Sequence, residues 1–118
     1  MPPRHWKLRV ADILDAISAI RQYTAGMDYD AFSADSKTVD AVIRNITVIG
    51  EAARCIPSDI VDATPAIPWK DMREMRNIVV HAYFGVNRRI LWDTIQMDLS
   101  PLVPLLEELR RQNEGDTQ

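Results

Sequence analysis

The residues best suited to chemistry lie in the segment 72–85, which carries one of the two histidines of the chain. Four residues separate Arg76 from His81, and Asn77 and His81 are four apart. On a helix, residues four or seven apart lie on one face, so these side chains and Tyr83 form one polar cluster. An imidazole transfers protons near neutral pH, and a guanidinium binds phosphate oxygens. The cluster therefore predicts acid–base chemistry on a phosphate ester.

The apolar residues of the same segment predict its buried side. They share one face of the helical wheel and form a stripe wide enough to pack on a core: Met72, Met75, Ile78, Val79 and Ala82. Val80 and Phe84 are apolar but fall on the polar side. We therefore expect a second copy of the chain to cover this face, as in an isologous dimer.

Other kinds of active site find little support in the sequence. No second histidine, cysteine or carboxylate pair lies at a metal-ligand spacing from His81, and the four glycines form no phosphate-binding loop. Neither a metal nor a cofactor is predicted. RNA cleavage by its own 2′-hydroxyl needs only proton transfer and stabilisation of an anion, so it fits the cluster. A structural histidine on a solvated helix face is the alternative.

The charge distribution also favours a local phosphate contact. The net charge is −3, yet residues 70–89 contain five basic and two acidic residues, leaving nine basic and 15 acidic residues elsewhere. A basic site on an acidic body suits a local phosphate contact better than binding along a duplex. We predict Lys70, Arg73 and Arg88 as RNA phosphate-binding residues. The alternative is a helix face with ordinary surface ion pairs.

Periodic apolar residues predict an all-α fold, an antiparallel up-down bundle of four to five helices. Helices are expected at about 7–25, 36–55, 69–85 and 88–99, with a restart at Ser100 that reaches 111. Gly26 should end the first helix, Ser33 or Asp35 should cap the second, and Asn87 the fourth. We expect a loop at 28–35, and a connector at 57–68 with one short turn.

The chain is expected to be one domain, residues 1–118, with flexible ends at 1–6 and 113–118. Cys55 is the single cysteine, which excludes an intrachain disulfide. A charged N-terminal region and the lack of an 18-residue apolar run argue against a signal peptide and a membrane span. We therefore expect a cytoplasmic protein without a membrane partner.

The spacing Arg76-x(4)-His81-x-Tyr83 matches the R-x(4)-H-x-Y motif of HepT-type toxins in the HEPN superfamily of helical ribonucleases. The surrounding segments, among them 49–53 (Ile-Gly-Glu-Ala-Ala), Ile56-Pro57 and Trp69, also resemble that family. The resemblance implies a HEPN-like bundle and a homodimer whose two motifs line one cleft. It also implies a metal-independent endoribonuclease toxin of a type VII toxin–antitoxin system. An MntA-like nucleotidyltransferase antitoxin would neutralise it by transferring AMP to Tyr83.

In this interpretation His81 is the general acid or base, Arg76 offsets charge on the phosphorane, and Asn77 orients the imidazole or the phosphate. A rival hypothesis keeps the same residues without catalysis. The chain would then be a helical, substrate-binding partner subunit of a minimal nucleotidyltransferase, with Arg76 and His81 holding a nucleotide phosphate.

Overall fold

The structure, a computed structural model, describes the backbone of residues 5–83 and 87–114 and the side chains of residues 5–80 and 87–112. Seven α-helices and one π-helical segment make up its regular structure in that part of the chain. They are α1 (Trp6–Tyr23), α2 (Tyr29–Ala34), α3 (Ser36–Arg54), α4 (Ser58–Ala63), α5 (Trp69–Tyr83), α6 (Arg88–Asp93), the π segment (Thr94–Asp98) and α7 (Leu102–Glu114). The predicted all-α bundle is confirmed.

Local hydrogen bonds fix where the helices begin, as the sequence predicted for two of them. The Asp35 carboxylate caps α3 by accepting from the Thr38 backbone N–H at 3.3 Å, and Asn87 caps α6 by accepting from the Ile90 N–H at 3.1 Å. Gly26 follows the end of α1 with φ of +77°, a left-handed conformation that glycine adopts without a steric cost. Hydrogen bonds from the Thr38 hydroxyl and backbone lower the pKa of Asp35 below its ordinary value of 3.8.

The core lies along α3, which packs between α1 and α5, while α7 packs on α1. The long helices α1, α3, α5 and α7 turn their apolar stripes inward, whereas α4 has no buried residue. The largest fully buried side chains are Val10, Ile13, Ile17, Ile20, Phe32, Val39, Ile46, Ile49, Met72, Leu91, Leu99 and Leu106. Helix α6 packs on α5 and α2, and the Phe32 and Trp92 rings lie 5.1 Å apart there.

The structure corrects the sequence prediction in two connectors. Residues 29–34 form the short helix α2 instead of a loop, with Asp28 as its cap accepting from the Ala31 N–H at 2.8 Å. The turn expected at 58–61 extends to the six-residue helix α4. The break expected near Ser100 is present, because the π segment ends at Asp98 and α7 begins at Leu102. Gly85, predicted to end α5, lies outside the described residues.

Helices α3 and α5 approach each other closely at Gly50. A β-carbon built there would lie 3.6 Å from the Arg76 backbone nitrogen, 3.6 Å from the Met72 carbonyl and 3.8 Å from the Arg73 carbonyl. The absence of a side chain at Gly50 lets the two helices come this close. This approach brings the residue after Gly50 alongside the polar side of α5. Among the described helices, none is both long enough and apolar enough to cross a membrane.

Candidate active site

Helix α5 carries the predicted cluster, and its packing sets which residues face out. Met72 and Met75 are buried, and Ile78 and Val79 are half-buried, as the stripe predicted. Arg76 and Asn77 are exposed. Because both methionines hold α5 on the core, its polar side has one fixed orientation toward solvent.

Two of the predicted residues are located only by their place on the helix. His81 and Tyr83 belong to the last turn of α5, but their side chains lie outside the described residues, as does Ala82 of the stripe. Helical spacing sets His81 one turn beyond Asn77 on the same face. The backbone of the motif is therefore one continuous helix from Arg76 to Tyr83.

Arg76 forms an ion pair with a glutamate of the neighbouring helix. Its Nη1 atom lies 3.5 Å from Oε1 of Glu51, on α3. The Nη1 atom of Arg54 lies 3.4 Å from the same oxygen. The arginine side chains are 60% and 52% exposed, so this three-residue group is accessible to a ligand from solvent. We call Arg54, Glu51 and Arg76 the arginine–glutamate triad.

Sequence reasoning gave no role to Glu51 or Arg54. The motif lies wholly within α5, whereas these residues end α3, some 20 positions earlier in the chain. A signal existed nonetheless, because a glycine inside an amphipathic helix can mark a point where another helix comes close. The residue beside such a glycine is the one expected to reach the neighbouring helix.

The other predicted phosphate-binding residues occupy different environments. Arg73 is exposed and makes no ion pair within the part of the chain that the structure describes. Lys70 lies 4.0 Å from Glu74 one turn along α5, a contact too exposed to hold it firmly. Arg88 is half-buried, and its Nη1 donates to the Ser33 carbonyl of α2. Part of the Arg88 guanidinium thus ties α6 to α2, and its remaining donors stay available for an anion.

A groove of about 660 Å³ runs along the opposite edge of α5, between that helix and the start of α7. Its walls are mainly apolar, and its charged lining residues are the acids Asp71, Glu74 and Asp98. Asn77 lies between this groove and the exposed arginines. Because three carboxylates repel a phosphate backbone, this groove is a poor RNA site, and the triad side of α5 is the better one.

The described side chains include no group of three or more histidine, cysteine, aspartate or glutamate residues placed to hold a metal ion. At the triad side the described side chains supply two guanidinium groups and one carboxylate. A guanidinium supplies positive charge and five fixed N–H donors, which suit a phosphate. The residue that would move protons is the motif histidine one turn further along.

Comparisons with known proteins found relatives that match most of the chain. A family model described as ribonuclease HepT-like matches residues 13–109. A probable ribonuclease HepT of Thermococcus cleftensis is 42% identical over 108 residues, covering 92% of this chain and 98% of the relative. A putative RNase of Methanocaldococcus jannaschii is 36% identical over 116 residues, covering 98% and 96%.

A more distant relative, a putative RNase of Caldanaerobacter subterraneus, is 31% identical over 97 residues, covering 82% of this chain and 87% of that protein. No solved structure matches the chain. The matched region includes α3 and α5, and therefore the triad and the whole motif. The chain belongs to the ribonuclease HepT-like family.

Proposed function

We propose that this protein is a metal-independent endoribonuclease, the toxin of a type VII toxin–antitoxin system acting in the cytoplasm. The observation that carries the proposal is the exposed Arg76, which pairs with Glu51 and begins a helical R-x(4)-H-x-Y motif. The names of its relatives, a probable ribonuclease HepT and putative RNases, support the same activity.

The reaction needs no group beyond the substrate and these side chains. The imidazole of His81 takes the proton of an RNA 2′-hydroxyl, and that oxygen attacks the adjacent phosphorus. The bond to the 5′-oxygen then breaks, a proton is returned to the leaving oxygen, and a 2′,3′-cyclic phosphate remains. Arg76 offsets the charge that grows on the phosphorane, and Asn77 orients the imidazole or the phosphate.

The reaction has two proton transfers, and two histidines could each perform one. We propose that a second copy of the chain provides the second histidine. Val80 is 50% exposed on the face that carries Arg76 and Asn77, although it is apolar. Covering it by an identical face removes this apolar surface from water and joins two basic sites in one cleft. Arg73, Lys70 and Arg88 would line the approach for the RNA backbone.

The family resemblance supports regulation by a nucleotidyltransferase partner through Tyr83. Tyr83 follows Arg76 by seven residues in helix α5, and positions seven apart share one face of a helix. We propose that an MntA-like antitoxin transfers AMP to Tyr83, releasing pyrophosphate from ATP. The added phosphate then competes with RNA for Arg76.

The direct test is to incubate the purified protein with tRNA and mRNA, with EDTA and without added metal. We expect cleavage by the native protein and a loss of about 100- to 10,000-fold in His81→Ala and Arg76→Ala. Circular dichroism should show that both variants remain folded. Cleavage by His81→Ala at the native rate, or a loss of native cleavage in EDTA, would contradict the mechanism.

The same assay separates the rival hypothesis of a non-catalytic partner subunit. Such a subunit would leave both RNAs intact while still binding a nucleotide phosphate through Arg76. For the regulatory step, Tyr83→Phe should cleave RNA normally and no longer be silenced by the antitoxin with ATP. Normal silencing of that variant would exclude Tyr83 as the acceptor.

A further inference from the structure

The triad joins two arginines to one carboxylate oxygen at the edge of the candidate active site. Because Nη1 of Arg54 and Nη1 of Arg76 lie 3.4 and 3.5 Å from Oε1 of Glu51, the two nitrogens are within about 7 Å of each other. Two guanidinium groups converging on a single anionic oxygen also match a phosphate, whose two free oxygens can each accept from one arginine.

We propose that Arg54 is a second phosphate-binding residue of this site and that Glu51 occupies the phosphate position until RNA displaces it. The inference rests on the proposed ribonuclease function and extends it to residues outside the motif. The ligand is a phosphodiester of single-stranded RNA that Arg54 and Arg76 hold together.

The contacts of Glu51 are suited to displacement. Its side chain is 47% exposed, and both contacts are longer than an ideal charge-assisted hydrogen bond. Exposed ion pairs of this kind are weak, so little is lost when the carboxylate swings into water. An arriving phosphate keeps both arginines paired, and therefore the local charge balance is preserved during the exchange.

Arg54 is well placed for this role by the fold. It is the last residue of α3, where the partial negative charge of the helix end favours a cation. The close approach at Gly50 sets this end of α3 against Arg76 of α5. Neither arginine has to cross a gap to share a ligand with the other.

The experiment measures binding of a labelled 20-nucleotide single-stranded RNA by fluorescence anisotropy, in a His81→Ala background so that the probe is not cleaved. We expect Arg54→Gln to weaken binding about 10-fold. The slope of log Kd against log salt concentration should fall by about 0.7, the value for one lost phosphate contact on a single strand. Glu51→Gln should tighten binding by about 2- to 5-fold, because the competing carboxylate is gone.

The pair Arg110 and Glu107 on α7 supplies matched controls. It has the same spacing of three residues, a 3.0 Å contact and similar exposure, and its helix packs on α1. Arg110→Gln and Glu107→Gln change the net charge by the same amounts as the test variants. They should leave both the affinity and the salt slope close to the native values.

Kinetics in the otherwise native protein distinguish competition from a positioning role. Under the proposal, Glu51→Gln acts on RNA binding and lowers KM. If Glu51 served only to hold Arg76 in place, the same variant would lower kcat at unchanged KM, and that result would overturn the proposal. So would an unchanged salt slope in Arg54→Gln, or equal losses in Arg54→Gln and Arg110→Gln.

The ribonuclease function and the phosphate-binding role of Arg54 can be refuted separately. If the native protein cleaves RNA and Arg54→Gln binds as tightly as its parent, only the role of Arg54 is refuted. If the native protein neither binds nor cleaves RNA, the ribonuclease function is refuted and the second phosphate contact with it.

Discussion

Two glycine-to-alanine changes should shift stability in opposite directions, and the reason can be worked from the structure. Gly50 lies within α3, where the nearest atoms to an added β-carbon are 3.6 Å away, an ordinary van der Waals distance. Gly26 has nothing within 4 Å of such a carbon, yet its φ is +77°. At Gly50 the neighbouring helix limits how large a side chain can be. At Gly26 there is room, but the backbone conformation disfavours any side chain.

Gly50→Ala should raise the free energy of unfolding by about 0.5–1 kcal/mol, because alanine loses less conformational freedom in a helix than glycine does. Gly26→Ala should lower it by about 1–2 kcal/mol, because the left-handed conformation strains an L side chain. For a chain of this length, 1 kcal/mol corresponds to about 4 °C in Tm. Thermal unfolding followed by circular dichroism at 222 nm therefore resolves both shifts.

A larger side chain at Gly50 extends the prediction to the active site. Gly50→Leu adds three carbons beyond a β-carbon already in contact with α5, and overpacking of this kind costs about 1–3 kcal/mol. Moving α5 away from α3 also moves Arg76 away from Arg54, with which it shares the proposed phosphate. A displacement near 1 Å can cost about 100-fold in rate, so RNA cleavage should fall by that order.

Three results would contradict the expected effects of these glycine substitutions. A Gly50→Ala protein that melts more than about 4 °C below the native one would mean that α3 and α5 lie closer than the structure has them. A Gly50→Leu protein with native Tm and native cleavage would mean that the helices do not touch at Gly50. A stabilised Gly26→Ala protein would contradict the left-handed conformation at Gly26.

Three further changes test the fold. Phe32→Ala should cost about 3–5 kcal/mol in urea unfolding, because Phe32 is fully buried. Asp35→Ala should lower Tm at pH 7. Because the hydrogen bond from Thr38 lowers the folded-state pKa of Asp35 below 3.8, the difference should persist above pH 3.8 and disappear as the pH falls through that lower value. Arg88→Gln should cost about 1 kcal/mol, measured by thermal unfolding, since the Ser33 carbonyl loses a donor.

The long helices could be predicted because their signals are local. The caps Asp35 and Asn87 act on residues three positions away, and the stripes of α1, α3 and α5 repeat over four or more turns. Helix α2 was missed because six residues are too few to show a period. Its cap, Asp28, was nevertheless visible in the sequence and could have revealed it.

In the candidate site, too, only the residues with a local sequence signal could be predicted. Arg76 and Asn77 were found because their spacing to His81 lies within one helix, and both are exposed as expected. The contact of Glu51 with Arg76 depends on how α3 packs against α5. No local sequence pattern predicts that packing. Burial of single large side chains also depends on how the helices pack: Phe32 and Trp92 are both buried, whereas Met97 is 71% exposed.

The position of the triad at the rim of the bundle follows from the cost of burying charge. A guanidinium and a carboxylate moved into the core would each lose several kcal/mol of hydration, which their attraction rarely restores in full. At the rim the pair keeps its hydration, so it contributes little to stability and can exchange partners at little cost. The apolar side of α5 is therefore fixed on the core by Met72 and Met75. The charged side remains free to exchange its ion-pair partners. An enzyme that must bind and release a phosphate backbone needs both on one helix.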